Sequence, residues 1–187
     1  MATERMMLDL LIQRYGKTDN YGVPRYQFME HPATVYKGKL RTLDALALDR
    51  HATQFYMDST TTGKAKASRV RLRHGFEVKC SRSDWLREIA QPDKAMAWSR
   101  YVHCFWLVVP DKALVKPGEL PEGWGLLAPR GGKLFAQPTA KINPKPLAID
   151  GSTLNNVIWA ALKHDRRQNA WEDQTAPPEP QDLALNA

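Results

Sequence analysis

Ser68-Arg69-Val70-Arg71-Leu72-Arg73-His74-Gly75-Phe76-Glu77-Val78-Lys79 is the stretch that decides the fold. Val70, Leu72, Phe76 and Val78 fall on one face, and Arg69, Arg71, Arg73, Glu77 and Lys79 on the other. That period of two predicts a strand with one buried face and one charged face. Gly75 is the point where the strand would bend. The same alternation puts Glu77 and Lys79 side by side. An exposed cross-strand charge pair is the ordinary meaning of such a spacing. It becomes part of a cation site when a neighbouring strand supplies a second carboxylate.

Upstream, residues 36–49 run from basic Lys37, Lys39 and Arg41 into Leu43-Asp44-Ala45-Leu46-Ala47-Leu48, a predicted strand buried on both faces. Asp44 interrupts its apolar run, which is costly unless the carboxylate has a partner. Pro24 to Met29 predicts a short strand. Residues 4–15 predict a helix with Met7, Leu8, Leu11 and Ile12 on one stripe, stopped near Gly16. Residues 58–66, DSTTTGKAK, read as a loop.

Downstream, Ser83 is a predicted N-cap, followed by a helix with Trp85, Leu86 and Ile89 facing inward. Pro92 breaks it, and a second helical stretch runs over residues 93–101. Residues 104–109, CFWLVV, predict a buried central strand. Strands at Gly125–Ala128 and Lys133–Ala136 flank a hairpin turn at Arg130-Gly131-Gly132. Thr153 to Lys163 predicts a helix with Leu154, Val157, Ile158 and Leu162 facing inward. These elements predict an α/β fold, a mixed central sheet flanked by helices. Residues 1–165 are expected to form one domain, followed by a flexible, acidic, proline-containing tail over 166–187.

Composition narrows the function. Apolar residues at 43% and six tryptophans indicate a folded globular protein. No apolar run approaches the ~20 residues of a membrane span. The first residues do not read as a secretory signal, so a cytoplasmic location is expected. Cys80 and Cys104 are expected to be buried free thiols in a reducing compartment. The net charge is +7, although Glu172 to Ala187 holds four acids and no base, so the preceding chain is more basic still. A basic body favours a polyanionic partner, nucleic acid first.

A hard divalent cation, Mg2+ or Mn2+, takes oxygen ligands. Asp44 and Glu77 would supply carboxylates and the Val78 carbonyl a third oxygen. Lys79 would orient or help deprotonate an attacking water, or stabilise charge on a phosphate. Glu30, ahead of the Asp44 strand, is a further candidate ligand. Ser81, Arg82 and Lys94 are candidate phosphate contacts, as are Arg69, Arg71 and Arg73. Lys94 and Tyr101 lie seven apart on one helical face. Trp124, in a glycine-rich loop, is a candidate for stacking on a base. The five histidines have no paired spacing, and none is assigned to metal.

The order Asp44, then Glu77-Val78-Lys79, on a helix–strands–helix–strand frame resembles the PD-(D/E)XK nuclease superfamily. The resembling stretches are Arg41-Thr42-Leu43-Asp44-Ala45, Gly75-Phe76-Glu77-Val78-Lys79, Ser81-Arg82-Ser83-Asp84-Trp85-Leu86, Trp106-Leu107-Val108-Val109-Pro110 and Pro121-Glu122-Gly123-Trp124-Gly125-Leu126, within residues 5–145. Leu43 stands where the motif usually has proline. The resemblance is to small phage and bacterial members. It implies a restriction-endonuclease-like αβββαβ core and a metal-dependent deoxyribonuclease of DNA replication, repair or recombination. It further implies Asp44 and Glu77 as metal ligands, Lys79 as the catalytic lysine, and a homodimer as one arrangement. Two alternatives stay open: a nucleic-acid-binding module of the same fold without cleavage, and a phage protein that acts by binding a host protein, with the acidic tail as a contact.

Overall fold

The computed structural model describes the backbone of residues 2–18, 21–57 and 66–175, with side chains over 2–18, 21–51 and 70–167. Helix α1 (Glu4–Tyr15) starts where Thr3 Oγ1 accepts the Met6 N–H and ends at Gly16, whose N–H reaches the Ile12 carbonyl. Strands β1 (Tyr26–Glu30), β2 (Ala33–Tyr36), β3 (Lys39–Thr42), β4 (Ala45–Met57) and β5 (Lys66–Val78) follow. Helices α2 (Arg82–Ile89) and α3 (Pro92–Ser99) lead into β6 (Cys104–Val108). The hairpin β7 (Gly125–Arg130) and β8 (Lys133–Ala136) precedes α4 (Gly151–Thr175).

Six strands form one mixed sheet in the order β1-β4-β5-β6-β7-β8. β6 is parallel to β5 and β7, and the other pairs are antiparallel. The alternation in β5 sorts the core. Leu72, Phe76 and Val78 pack with Met7, Leu8, Leu11 and Tyr15 of α1 on one face. On the other, Leu46 and Phe105 pack with Trp98 of α3 and Val157 and Ala160 of α4, while Trp85 of α2 packs on Leu107 and Val109. β6 is buried on both faces, as its continuous apolar run predicts. The α/β class, helix α1, the CFWLVV strand and the β7–β8 hairpin follow the sequence reading. Gly131 and Gly132 both take positive φ, as a two-residue hairpin turn requires.

Several elements differ from expectation. Residues 36–49 are not one strand. β2 and β3 make a separate two-stranded hairpin about Lys37-Gly38, both at positive φ, and the chain then bends at Leu43-Asp44 before β4. Asp44 therefore sits at a bend, not inside a strand. β5 runs straight through Gly75, where an added Cβ would meet Leu43 and Val102 at 3.3 Å; the irregularity lies in β4, between Leu48 and Ala52. Leu86 is exposed. In α4, Leu154, Ile158 and Leu162 face outward, and Thr153, Val157, Ala160 and His164 are buried. α4 continues to Thr175, past the point where the tail was expected to begin; residues 176–187 and the loop at 58–65 lie outside the described residues. Among the described residues, no helix is long and apolar enough to cross a membrane.

Candidate functional site

The C-terminal end of β5 meets the bend before β4, and this junction builds the site. β4 pairs Ala45 with Phe76, which brings Asp44 level with the last residues of β5. Asp44 Oδ2 accepts the Val78 N–H at 2.6 Å. The Val78 N–H thus fixes the carboxylate of Asp44 at the strand end. Glu77 and Lys79 share a face, as the period of two predicts, and Lys79 Nζ lies 2.6 Å from Glu77 Oε1.

Two residues from the helices close the group. Ser81 Oγ accepts the Asp84 N–H and starts α2, which carries Glu88 over the strand end. Pro92 starts α3, which carries Lys94. Lys79 Nζ lies 3.1 Å from Glu88 Oε2; Lys94 Nζ lies 2.9 Å from Glu88 Oε2 and 3.3 Å from Glu77 Oε1. Glu77 and Glu88 are only 4% and 5% exposed. Glu88 Oε1 is buried without a hydrogen-bond partner.

The electrostatics follow from Glu77 and Glu88 pairing with two ammoniums in a desolvated space, with half-buried Asp44 close enough to act on them by its charge. Burial, then the charge of Asp44, pushes Glu77 up to about 7. Burial also raises Asp44, against the pull of the Val78 N–H and Lys79. Glu88 is lowered, because Lys79 and Lys94 outweigh its burial. Lys79 is raised, its burial outweighed by Glu77, so it stays protonated. Of the roles expected for Lys79, a charged ammonium suits orienting a water or stabilising charge on a phosphate.

A second group meets on Asp44. One ligand atom each from Glu4, His31 and Asp44 lies within 4.8 Å of the others. The His31 N–H donates to the Asp44 carbonyl at 3.1 Å. His31, which sequence spacing left unassigned, is therefore a neighbour of the key acid.

Other expected site residues stand elsewhere. Glu30 is not part of either group: Arg5 Nη1 donates to both its oxygens at 2.9 and 3.0 Å, and Arg167 lies 3.4 Å away. Arg82 is clasped by Glu119 and donates to the Leu114 carbonyl. Ser81 is committed to the helix cap, which also displaces Ser83 from that role. Lys94 does face the site, with its ammonium given to carboxylates. Arg73 precedes Glu77 by four positions, about 13 Å of strand; it is half-buried and donates to the Leu147 carbonyl. Arg71 donates to the Arg50 carbonyl, and the Arg69 side chain lies outside the described residues. Tyr101 is buried and donates to Asp150. Trp124 packs on Phe105, with ring centroids 4.3 Å apart. Cys104 is a buried thiol pushed up to about 11 by burial, and Cys80 is half-buried.

The residues missed by sequence reasoning are Glu88, Glu4 and His31. Nothing local marks them, since each arrives by the packing of a separate element.

No family model matches the chain, and no curated protein matches it. Among solved structures it is similar to a protein of unknown function from Silicibacter pomeroyi, with 15% identity over 83% of this chain and 86% of that one, at a TM-score of 0.46. That likeness carries no argument about family or activity.

Proposed function

We propose that this protein is a divalent-cation-dependent nuclease that hydrolyses phosphodiester bonds of DNA, with Asp44, Glu77 and Lys79 at its centre. The observation that carries the reading is that half-buried Asp44 stands level with buried Glu77 across the β4–β5 pairing, both acids raised in pKa, beside a lysine that stays charged. Acids held in that state lose their mutual repulsion on taking a cation. The strand order supports a finer assignment: β1, β4 and β5 antiparallel, then α2, then parallel β6, as in a restriction-endonuclease-like core.

The donor set fits a hard or borderline divalent ion. Glu88 leaves a buried carboxylate oxygen without a partner, and His31 adds an imidazole next to the oxygens of Asp44 and Glu4. Asp44 and Glu77 would hold the ion, which when bound supplies a more acidic water and positive charge beside the scissile phosphate. Val78, through its N–H, fixes the Asp44 carboxylate. Lys79 presents its ammonium to the phosphate from the face it shares with Glu77. Lys94 balances Glu88, so that Lys79 is not held by two acids alone.

The test is cleavage of linear, circular, branched and single-stranded DNA in Mg2+ and in Mn2+. Wild type should cut, and Asp44→Asn and Lys79→Gln should fall to the no-enzyme rate while keeping wild-type circular dichroism. Cleavage that persists in either purified variant overturns the assignment.

A second reading is a nucleic-acid-binding protein of the same fold that does not cut. The square of Lys79 and Lys94 on Glu77 and Glu88 favours it, because those four charges already satisfy one another. Wild type that binds DNA but never cuts in either metal would decide for it.

A further inference from the structure

Trp159 of α4 is 66% exposed, unlike the buried Trp85, Trp98 and Trp106. Lys163, Arg166 and Arg167 follow at spacings of four, seven and eight, so all four side chains share one helical face. They line a cavity of about 400 Å³ together with His31 and Glu30. His31 ties this cavity to the candidate site, since the same residue lies in the group with Asp44. Lys163 and Arg166 form no hydrogen bond or ion pair among the described residues. The one acid in the cavity wall, Glu30, is already neutralised by Arg5 and Arg167.

An open indole beside uncommitted cations suits a base and its flanking phosphates. Bases within a duplex stack on one another and leave no face free, so an aromatic platform selects unpaired nucleotides. We propose that this groove seats an unpaired segment of single-stranded DNA beside the Asp44 site, with Trp159 stacking on a base and Lys163 and Arg166 on phosphates. The inference rests on the nuclease reading and names its substrate class: single strands, or duplexes with unpaired ends.

The test measures binding of a fluorescein-labelled oligothymidylate and of a blunt hairpin duplex by anisotropy, in EDTA, so that no cleavage intervenes. Trp159→Ala should bind the single strand at least about fivefold more weakly and the duplex nearly as before, and Trp159→Phe should recover most of the loss. Replacing Lys163 and Arg166 by Gln should reduce the slope of log affinity against log salt by about 1.4 for the single strand. Single-strand affinity unchanged in Trp159→Ala, or an equal loss on both ligands, overturns the proposal. So does a Trp159→Ala variant that only converts a dimer to a monomer, which would assign this face to a second copy. If wild type cuts DNA but Trp159→Ala binds single strands normally, only the platform fails. If Trp159 governs single-strand binding and no metal supports cleavage, the hydrolase fails and the platform stands. Wild type that binds neither ligand removes both.

Discussion

Glu77 sits 4% exposed among Asp44, Glu88, Lys79 and Lys94, so the cluster holds one negative charge in excess. Its folded pKa of about 7 stands above the ~4.3 of an unfolded glutamate. Between those values the folded chain holds the proton more tightly, so this group's contribution is full below pH ~4.3 and is lost as pH rises to about 7. The loss is on the order of 3 kcal/mol. Glu77→Gln balances the cluster and should flatten the stability profile between pH 5 and 8, measured by urea unfolding; a variant that loses stability over that range in parallel with wild type would rule this out. Lys79→Met has the opposite effect. It leaves two buried acids to share Lys94 and should cost about 3 kcal/mol at pH 8. The Glu77–Lys79 pair and the isolated acid at Asp44 were legible in the sequence, because strand alternation and an interrupted apolar run are local signals. Glu88 and Lys94 were not, because their approach depends on how two short helices fold back over the strand end.

Among elements, β6 and β7 approach each other so closely at Gly125 that no side chain fits there. A Cβ at Gly125 would lie 2.3 Å from the Trp106 ring and 2.6 Å from the Ala140 backbone nitrogen. Gly125→Ala must therefore move a buried indole and a backbone segment together. It should destabilise by about 3 kcal/mol, read as a lower urea midpoint at unchanged slope; a midpoint like wild type would mean that the loop before α4 yields freely. The turn at Gly131-Gly132 and the CFWLVV strand were legible because each carries its own chemistry. The β2–β3 hairpin was hidden, since Lys37 takes a positive φ that glycine or asparagine would have advertised. The inward face of α4 was misread for another reason. That helix carries apolar residues on two stripes, and period alone does not choose between them. The smaller set packs inward, with Val157 and Ala160 in the core and Thr153 bonded to Thr34 at 2.7 Å. The large set, Leu154, Ile158 and Leu162, is left outside.

At the scale of the whole molecule, the groups around Asp44 link parts of the chain that share little else. Glu4 comes from α1, His31 from the turn after β1, Asp44 from the bend before β4, and Glu77 from the end of β5. The cores on the two faces of the sheet are separate clusters; Glu4, His31 and Asp44 offer ligand atoms within 4.8 Å of one another, and Glu77 stands level with Asp44 at the ends of the interior strands β4 and β5. A cation bound there would act on the folded state alone, because the unfolded chain does not gather these ligands. At 100 times its dissociation constant it should add about 2.7 kcal/mol to the unfolding free energy. Mn2+ should therefore raise the thermal midpoint of wild type at pH 8, with the shift absent in Asp44→Asn. His31→Asn should weaken the Mn2+ shift more than the Mg2+ shift, because an imidazole is a better ligand for the softer ion. Acid pH opposes the effect, since protons compete for Glu77 below about 7. A midpoint insensitive to both ions at pH 8, or a shift that survives in Asp44→Asn, would place the cation elsewhere. The measurement needs no substrate, so it tests the ion site independently of whether this protein cuts DNA.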